Sequence, residues 1–592
     1  TSDGHPDPDR FTVRVRVVVT DADGRVGTTE RPIQVHHDPD LVAVDAPAGL
    51  GTASPVFADL DGDGARELIA AGDDGRIHAL QAGGSEAPGF PASTGPAPFW
   101  HPTSPTAVAD DIAAPSAAVM VGAPAIADLD TDGRPDIVVS DLEGGVHVIS
   151  ADGTTLATMH TDPTLSDQHN TDERNRAKPG FAGSPALGDL DGDGGLDIVG
   201  AAMDRHVYAW HADGTPMAGF PVLVVDPDQV AAVDPTSHRV TFRDPDSTDD
   251  GGELVATPAL GDLDGDGRPE IVVGAQEQYL DEELAVWPPI SLGDESGNTR
   301  LYAISPDGTR ARSPEGNPAH PDEQAYLPGW PARLPMLLTS VLPTIGNGVA
   351  AQAAIGDVNG DGTPDVVATS VAGQTMVLEP DGSSTYERFG LRLAPNWLGA
   401  TSGASNSTDT GALLTAFGGP AVGRLDPTGE PTHPGLDIAS PTTGARRALD
   451  TLLPNRQAGD PQLTAWSGHD GVVRDGFPRV TADIAFFVTP AIADVDGDGA
   501  SEIVAGNGIQ MLDAMGAGGT VPDGWPKLTG GWLVGTPSVG DWDGDGRAEV
   551  AVVRRDGPLL VWRTPTAAGT VGDWPRFGGN DHNDGTGRAP RP

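Results

Sequence analysis

The 592-residue chain contains no cysteine. Thiol nucleophiles, disulfides, cysteine-ligated zinc and iron–sulfur clusters are therefore excluded together. Positive charge is scarce as well: Lys+Arg total 35 against 86 Asp+Glu, a formal net charge of −51. Such a surface repels phosphate backbones and anionic membranes, so nucleic acid is excluded as a partner. Lys178 and Lys527 are the only lysines, and neither stands in a phosphate-binding loop. Neither HExxH nor GxSxG occurs. No apolar run approaches the roughly 18 residues of a membrane span, so no transmembrane segment is expected. What the chain has in abundance is Gly (80) and Pro (55). Both residues penalise helix interiors most, which points to a turn-rich, non-helical protein.

One phrase recurs along the chain: SPVFADLDGDGAREL from Ser54, APAIADLDTDGRPDI from Ala123, SPALGDLDGDGGLDI from Ser184 and TPALGDLDGDGRPEI from Thr257. It continues as QAAIGDVNGDGTPDV from Gln352, TPAIADVDGDGASEI from Thr489 and TPSVGDWDGDGRAEV from Thr536. A worn copy begins at Gly419, and successive copies lie 47 to 95 residues apart. Each copy has an apolar run before the acidic loop, a second after it such as Leu68–Ala71, and an alternating third such as Arg76–Leu80. Many then show Gly, an aromatic and Pro, as in Gly89-Phe90-Pro91 and Gly524-Trp525-Pro526. Short β-rich runs punctuated by turn residues are strands, and repeats of this length imply stacked or radial units. The expected fold is all-β: a β-propeller of about eight blades, each a four-stranded antiparallel sheet, spanning 40–587. Residues 588–592 are expected to form a disordered tail. Leu41–Val44 is expected to close the ring as the outer strand of the blade containing Asp541.

In the first copy Asp59, Asp61 and Asp63 occupy loop positions 1, 3 and 5, Gly64 position 6, and Glu67 position 9. Alternate carboxylates on a tightly turning backbone converge, and the position 7 carbonyl adds an oxygen. That is a hard-oxygen cage suited to calcium. An EF-hand would close with an acid at position 12, where this chain has Ala70, Val139, Val273 and Val552. The loop therefore joins two strands.

These repeats resemble the FG-GAP/VCBS repeats of the integrin α-subunit propeller family. The resemblance implies calcium-binding hairpin loops between the first and second strands, with ligands carried over position by position. They are Asp59, Asp61, Asp63, Glu67; Asp128, Asp130, Asp132, Asp136; Asp189, Asp191, Asp193, Asp197; and Asp262, Asp264, Asp266, Glu270. The remaining sets are Asp357, Asn359, Asp361, Asp365; Asp494, Asp496, Asp498, Glu502; and Asp541, Asp543, Asp545, Glu549. About seven Ca²⁺ are implied, with the bland alternative that some loops are turns held by Asx-type hydrogen bonds alone. In the worn copy Arg424 replaces the first Asp, so no metal is expected there, and Arg424 is expected to neutralise Asp426 or Asp437. Residues 1–38, with Val13, Val15, Val17 and Val19 alternating before a turn, resemble the closing strands of a PKD-like, immunoglobulin-type module that begins upstream.

His78 and His147 share a third-strand slot with Tyr208 and Tyr302, so packing is the expected role. Long insertions at 92–121, 222–255, 276–298, 334–351 and 385–418 fall, by strand phasing, on the face opposite the acidic loops. Trp100, Trp287 and Trp397 in them are candidate aromatic anchors for a ligand. The expected function is a secreted or cell-surface, calcium-stabilised adhesion propeller that binds an extracellular protein or glycan without catalysis. The alternatives are a carbohydrate-active propeller, such as a polysaccharide lyase or lectin, or an appendage of a larger secreted enzyme such as a subtilisin-like protease.

Overall fold

A computed structural model describes residues 12–20, 22, 24, 26–34, 37–42, 50–95, 118–167, 170, 172–243, 252–279, 299–308, 325–334, 348–371, 375–384, 413–415, 418–426, 433–444, 461–483, 485 and 487–587. Strands dominate, and among the described residues no helix is long and apolar enough to cross a membrane. Eight antiparallel blades form a β-propeller. Blade 1 comprises Val56–Ala58, Glu67–Ala71, Arg76–Leu80 and Ala92–Ser93; blade 2 comprises Ala125–Ala127, Asp136–Ser140, Gly145–Ile149 and Thr155–His160. Blade 3 comprises Ala186–Gly188, Asp197–Ala201, His206–Trp210 and Val222–Leu223, and blade 4 Ala259–Gly261, Glu270–Gly274, Thr299–Ile304 and Ala332–Leu334. Three described strands make blade 5: Ala354–Gly356, Asp365–Thr369 and Thr375–Leu378. Blade 6, the worn copy, is a complete sheet of Ala421–Gly423, Asp437–Gly444, Pro461–Ser467 and Arg479–Val480, with Leu413–Thr415 added to its second strand. Ala491–Ala493, Glu502–Gly506, Met511–Met515 and Lys527–Leu528 form blade 7.

Ser538–Gly540, Arg547–Val553 and Leu559–Ala567 form blade 8, and Leu41–Val42 completes it by pairing Leu41 with Trp562 and Val42 with Val561. The closure expected from sequence is therefore present over those two residues. It removes the open edge that a linear array of sheets would leave.

Successive first strands touch from blade 2 round to blade 1, so these strands line the centre. The Ser/Thr that opens most repeats has a structural reason. The Ala123 N–H donates to Ser184 Oγ at 2.7 Å, Ser184 N–H to Thr257 Oγ1 at 2.8 Å, and Thr536 N–H to Ser54 Oγ at 2.8 Å. Each hydroxyl thus stitches one blade to its predecessor, including the seam between blades 8 and 1. The Gly of the Gly-aromatic-Pro motif is also required by contact. A Cβ on Gly89, at φ +92°, would sit 1.8 Å from the Asp152 carbonyl of the next blade. All five such motifs have a cis aromatic–Pro bond.

The segment after blade 8 does something the sequence reading did not foresee. Trp574-Pro575 resembles a blade motif, yet it enters the central channel, where Trp574 is 1% exposed. First-strand N–H groups donate to this segment around the ring. Ile126 donates to Asp581 O (2.7 Å), Leu187 to His582 O (2.9 Å), Leu260 to Asp584 O (2.6 Å) and Ile355 to Gly585 O (2.7 Å). Ile492 donates to Trp574 O (2.8 Å), Val539 to Pro575 O (2.9 Å), and Arg424 N–H to Asp573 Oδ2 (2.9 Å). Buried Arg576 and Asn583 anchor it further, through Arg576 Nη2 to Pro124 O at 2.8 Å and Asn583 Nδ2 to Ala123 O at 3.0 Å. Seven of the eight blades thus meet a plug formed by residues 571–587.

Outside the ring, Thr12–Thr20 pairs with Val26–Gln34 as a hairpin that leaves Val13, Val15, Val17 and Val19 exposed. A second hairpin, Val230–Val233 with Val240–Phe242, rises from one insertion.

Candidate functional site

In seven blades the acidic loop turns the chain between the first and second strands, with a constant register. Ala58 faces Glu67, Ala127 faces Asp136, Gly188 faces Asp197 and Gly261 faces Glu270. Gly356 faces Asp365, Ala493 faces Glu502 and Gly540 faces Glu549. The closing acid therefore lies directly across from the residue before the first Asp, and in every one of these blades but blade 8, whose strand starts at Arg547, it opens the second strand. All four side chains of each set are thereby gathered on one hairpin.

The hydrogen bonds repeat from blade to blade. Asp59 Oδ1 accepts the Gly62 N–H at 2.7 Å and Oδ2 the Gly64 N–H at 3.1 Å. Asp61 accepts the Asp63 N–H at 3.1 Å, Asp63 the Ala65 N–H at 2.8 Å, and Glu67 the Leu60 N–H at 2.9 Å. The bond from the position 6 glycine recurs at Asp128, Asp189, Asp262, Asp357, Asp494 and Asp541, at 3.0 to 3.1 Å. Gly64, at φ +94°, takes the backbone through a region that side chains disfavour. One carboxylate oxygen each from Asp59, Asp61 and Glu67 lies within 4.8 Å of the others, as for Asp128, Asp130 and Asp136, and for Asp189, Asp191 and Asp193.

The closing acids are all buried, whereas of the other loop acids only Asp494 is. Burial, reinforced by the neighbouring loop aspartates, raises the carboxyl of Asp136 to about 6. The same causes raise Glu270 and Glu549 to about 7 and Glu502 to about 8. Asp365 is raised to about 7 by burial, with Glu379 and Asp361 adding repulsion. Glu67 and Asp197 are raised too, chiefly by burial. Each backbone N–H satisfies one oxygen of its closing acid. Glu549 Oε1 is buried with no hydrogen-bond partner among the described residues. A carboxylate oxygen so placed calls for a proton or a cation, and the donors around it are hard oxygens. The residues present fit a hard divalent ion.

Two neighbours were missed in the sequence. His211 Nδ1 lies 2.9 Å from Asp197 Oδ1, and with Asp191 and Asp197 it forms a further potential ligand group. Glu379 presses on Asp365 in blade 5. Both are the first residue after a third strand, the slot that faces the acidic loop.

Blade 6 needs a correction. Arg424 does not neutralise Asp426 or Asp437; its N–H serves the plug. Arg474 takes that role, with Nη1 2.6 and 2.7 Å from the two Asp437 oxygens and Nη2 2.5 Å from Asp426 Oδ1. His433 Nε2 adds a contact to Asp437 at 3.0 Å, and Asp437 holds the His433 proton more tightly than usual. A guanidinium therefore stands among the acids of this loop, which together with His433 also form a potential ligand group. Arg474 precedes Gly476-Phe477-Pro478 by two residues, where other blades have Ala87, Met217 and Leu327. That substitution was the readable signal. Arg474→Met should cost about 3–5 kcal/mol, because it takes the guanidinium away from buried Asp437 and half-buried Asp426. Urea unfolding checks this, and a loss that added calcium fully restores would mean blade 6 retains a metal site.

The third-strand slot behaves as expected. His78 Nδ1 lies 2.6 Å from Glu86 Oε1, and His147 Nε2 lies 2.9 Å from Asp141 Oδ2, both rings buried. In the same slot Tyr208 and Tyr302 donate to Asp204 and Glu277, each at 2.6 Å. Trp210, Trp466 and Trp562 are core residues. Trp100, Trp287, Trp397 and residues 588–592 lie outside the described residues.

The class defined by fold and loops is a β-propeller with repeated acidic hairpins, and an FG-GAP repeat is found at residues 255–283, around the fourth loop. No curated protein sequence matches the chain. Among solved structures it is similar to the V. cholerae biofilm matrix protein Bap1, at 13% identity and TM-score 0.45, covering 91% of this chain and 94% of that one. It is also similar to quinohemoprotein alcohol dehydrogenase from Comamonas testosteroni, at 12% and 0.46, covering 88% and 76%. Saccharomyces cerevisiae Sqt1 follows at 10% and 0.42, covering 88% and 98%.

Proposed function

We propose that this chain is a calcium-stabilised, extracellular binding propeller of the integrin α-like FG-GAP type. One observation carries the reading. Seven hairpins each gather their carboxylates beside a buried closing acid, and in the eighth an arginine takes the cation's place. A role that repeats in every blade and tolerates replacement by a fixed charge is structural. Calcium fits the number and hardness of the oxygens, and seven ions would bring the formal charge from −51 to −37. When bound, calcium supplies cross-linking of the loop oxygens; this chain's residues orient those oxygens through the backbone N–H bonds described above. Millimolar extracellular calcium suits sites of this class.

Ligand recognition then falls to the opposite face, where the second-to-third-strand and blade-to-blade connections emerge. The N-terminal hairpin, with its exposed valine row, is read as part of a PKD-like module that packs on that row. The function is non-catalytic adhesion to a protein or glycan. Calcium-loaded chain mixed with an acidic polysaccharide should generate neither new reducing ends nor unsaturated product. Steady turnover would establish the lyase reading instead.

A further inference from the structure

A cavity of about 370 Å³ opens at the centre of the face opposite the acidic loops, within the size range of small-ligand sites. Its neck is the ring of blade entrances, including Ser54, Ser184 and Thr257, and Phe577 of the plug lines it. Phe487, Trp532 and Arg555 complete its wall. Three features set it apart from the rest of the molecule.

First, none of its described lining residues is acidic, in a chain with 86 Asp and Glu. Arg555 is the one charged residue among the described lining. The guanidinium lies 4.7 Å from the Trp532 ring centroid, and among the described residues no carboxylate reaches ion-pair distance. Asp73 feels its charge from further away. Second, the collar hydroxyls are half used. Ser54, Ser184 and Thr257 are each more than nine-tenths buried and accept one backbone N–H. Among the described residues nothing accepts their protons, so the collar offers O–H donors. Third, Phe487 is 61% exposed and holds a φ of +59°. A bulky side chain in that region is an outlier of the kind that gathers at functional sites.

We propose that this funnel binds an acidic sugar residue of an extracellular glycan. The carboxylate meets Arg555 and the collar hydroxyls, which are all donors. The ring stacks on Phe487 and Trp532, as apolar sugar faces do on aromatic planes. A peptide C-terminus shares the carboxylate but presents no such ring to the aromatic pair. The inference rests on the assignment of this face to ligand recognition.

The test is calorimetric titration of the full calcium-loaded chain with a short oligouronate, a neutral oligosaccharide of equal length, and a peptide ending in a free carboxylate. The oligouronate should bind, more weakly at high salt, and the other two should not compete. Phe487→Ala and Arg555→Gln should each weaken binding about tenfold or more with an unchanged melting temperature. No oligouronate binding, binding indifferent to both variants, or preference for the peptide overturns the proposal. Those outcomes leave the calcium reading intact, since that reading fails only on metal binding and metal-dependent melting.

Discussion

A chain ending at Thr570 should lose stability across the whole ring and not only at its C-terminal end. The plug accepts N–H groups from first strands spread over the propeller, so its removal leaves inner sheet edges unpaired in six blades, and Arg424 loses Asp573 in blade 6. Water can enter and repair part of that loss, but it cannot replace the burial of Trp574. Truncating one buried tryptophan alone costs about 3–5 kcal/mol. The truncated chain should therefore melt lower and expose edges that template aggregation. Trp574→Ala in the full chain should reproduce the tryptophan part. Hydrogen exchange at Ile126, Leu187, Leu260, Ile355, Ile492 and Val539 reads the effect directly. Protection unchanged at these six amides would show that the plug merely occupies the channel.

Calcium removal has the other large expected effect. For a site of Kd about 10⁻⁴ M, millimolar calcium contributes about 1.4 kcal/mol. Over seven independent sites the sum is on the order of 10 kcal/mol. With an unfolding entropy of about 2 cal/mol/K per residue, that corresponds to roughly 8 °C in melting temperature. The pH dependence has a definite sign. Without metal, the closing acids have raised folded-state values: about 6 for Asp136, about 7 for Glu270, Asp365 and Glu549, and about 8 for Glu502. The folded chain then holds more protons than the unfolded one between the ordinary carboxylate range and about pH 8. Their contribution to stability is fullest below that window and is lost as pH rises through it. In EGTA the melting temperature should fall from about pH 5 to about pH 8. Calcium binds the ionised acids, so the gap between calcium and EGTA curves should widen over the same range. A gap that narrows would contradict the assignment of these acids as ligands.

The acidic phrase made blade number, loop position and the strand after each loop readable, because the loop's turn needs particular residues at fixed spacing. Closure through Leu41–Val42 was readable for a similar reason: a ring of sheets must hide its last edge, and the short apolar run Leu41–Val44 stands just before the first repeat. The plug was not readable. It works through carbonyl oxygens of residues 571–587, and every residue type supplies a carbonyl. Arg474 was missed in favour of Arg424 because sequence alignment placed Arg424 at the first metal position, whereas the fold brings in a cation from the third-to-fourth-strand turn. His211 and Glu379 escaped for the same reason. Their proximity to the loop follows from strand pairing, not from distance along the chain. The recurrent Ser/Thr before the first strand stitches the blades together, a role set by the neighbouring blade's N–H and not by the residues beside it in the chain.

Equilibrium dialysis of the purified chain against labelled calcium counts the ions that the acidic hairpins hold. About seven ions should bind per chain at saturation, with the count unaffected by Arg474→Met and reduced by one when Asp541 and Asp543 are both changed to Asn. At most one ion bound per chain, together with identical melting curves in calcium and in EGTA, would contradict calcium binding by these hairpins.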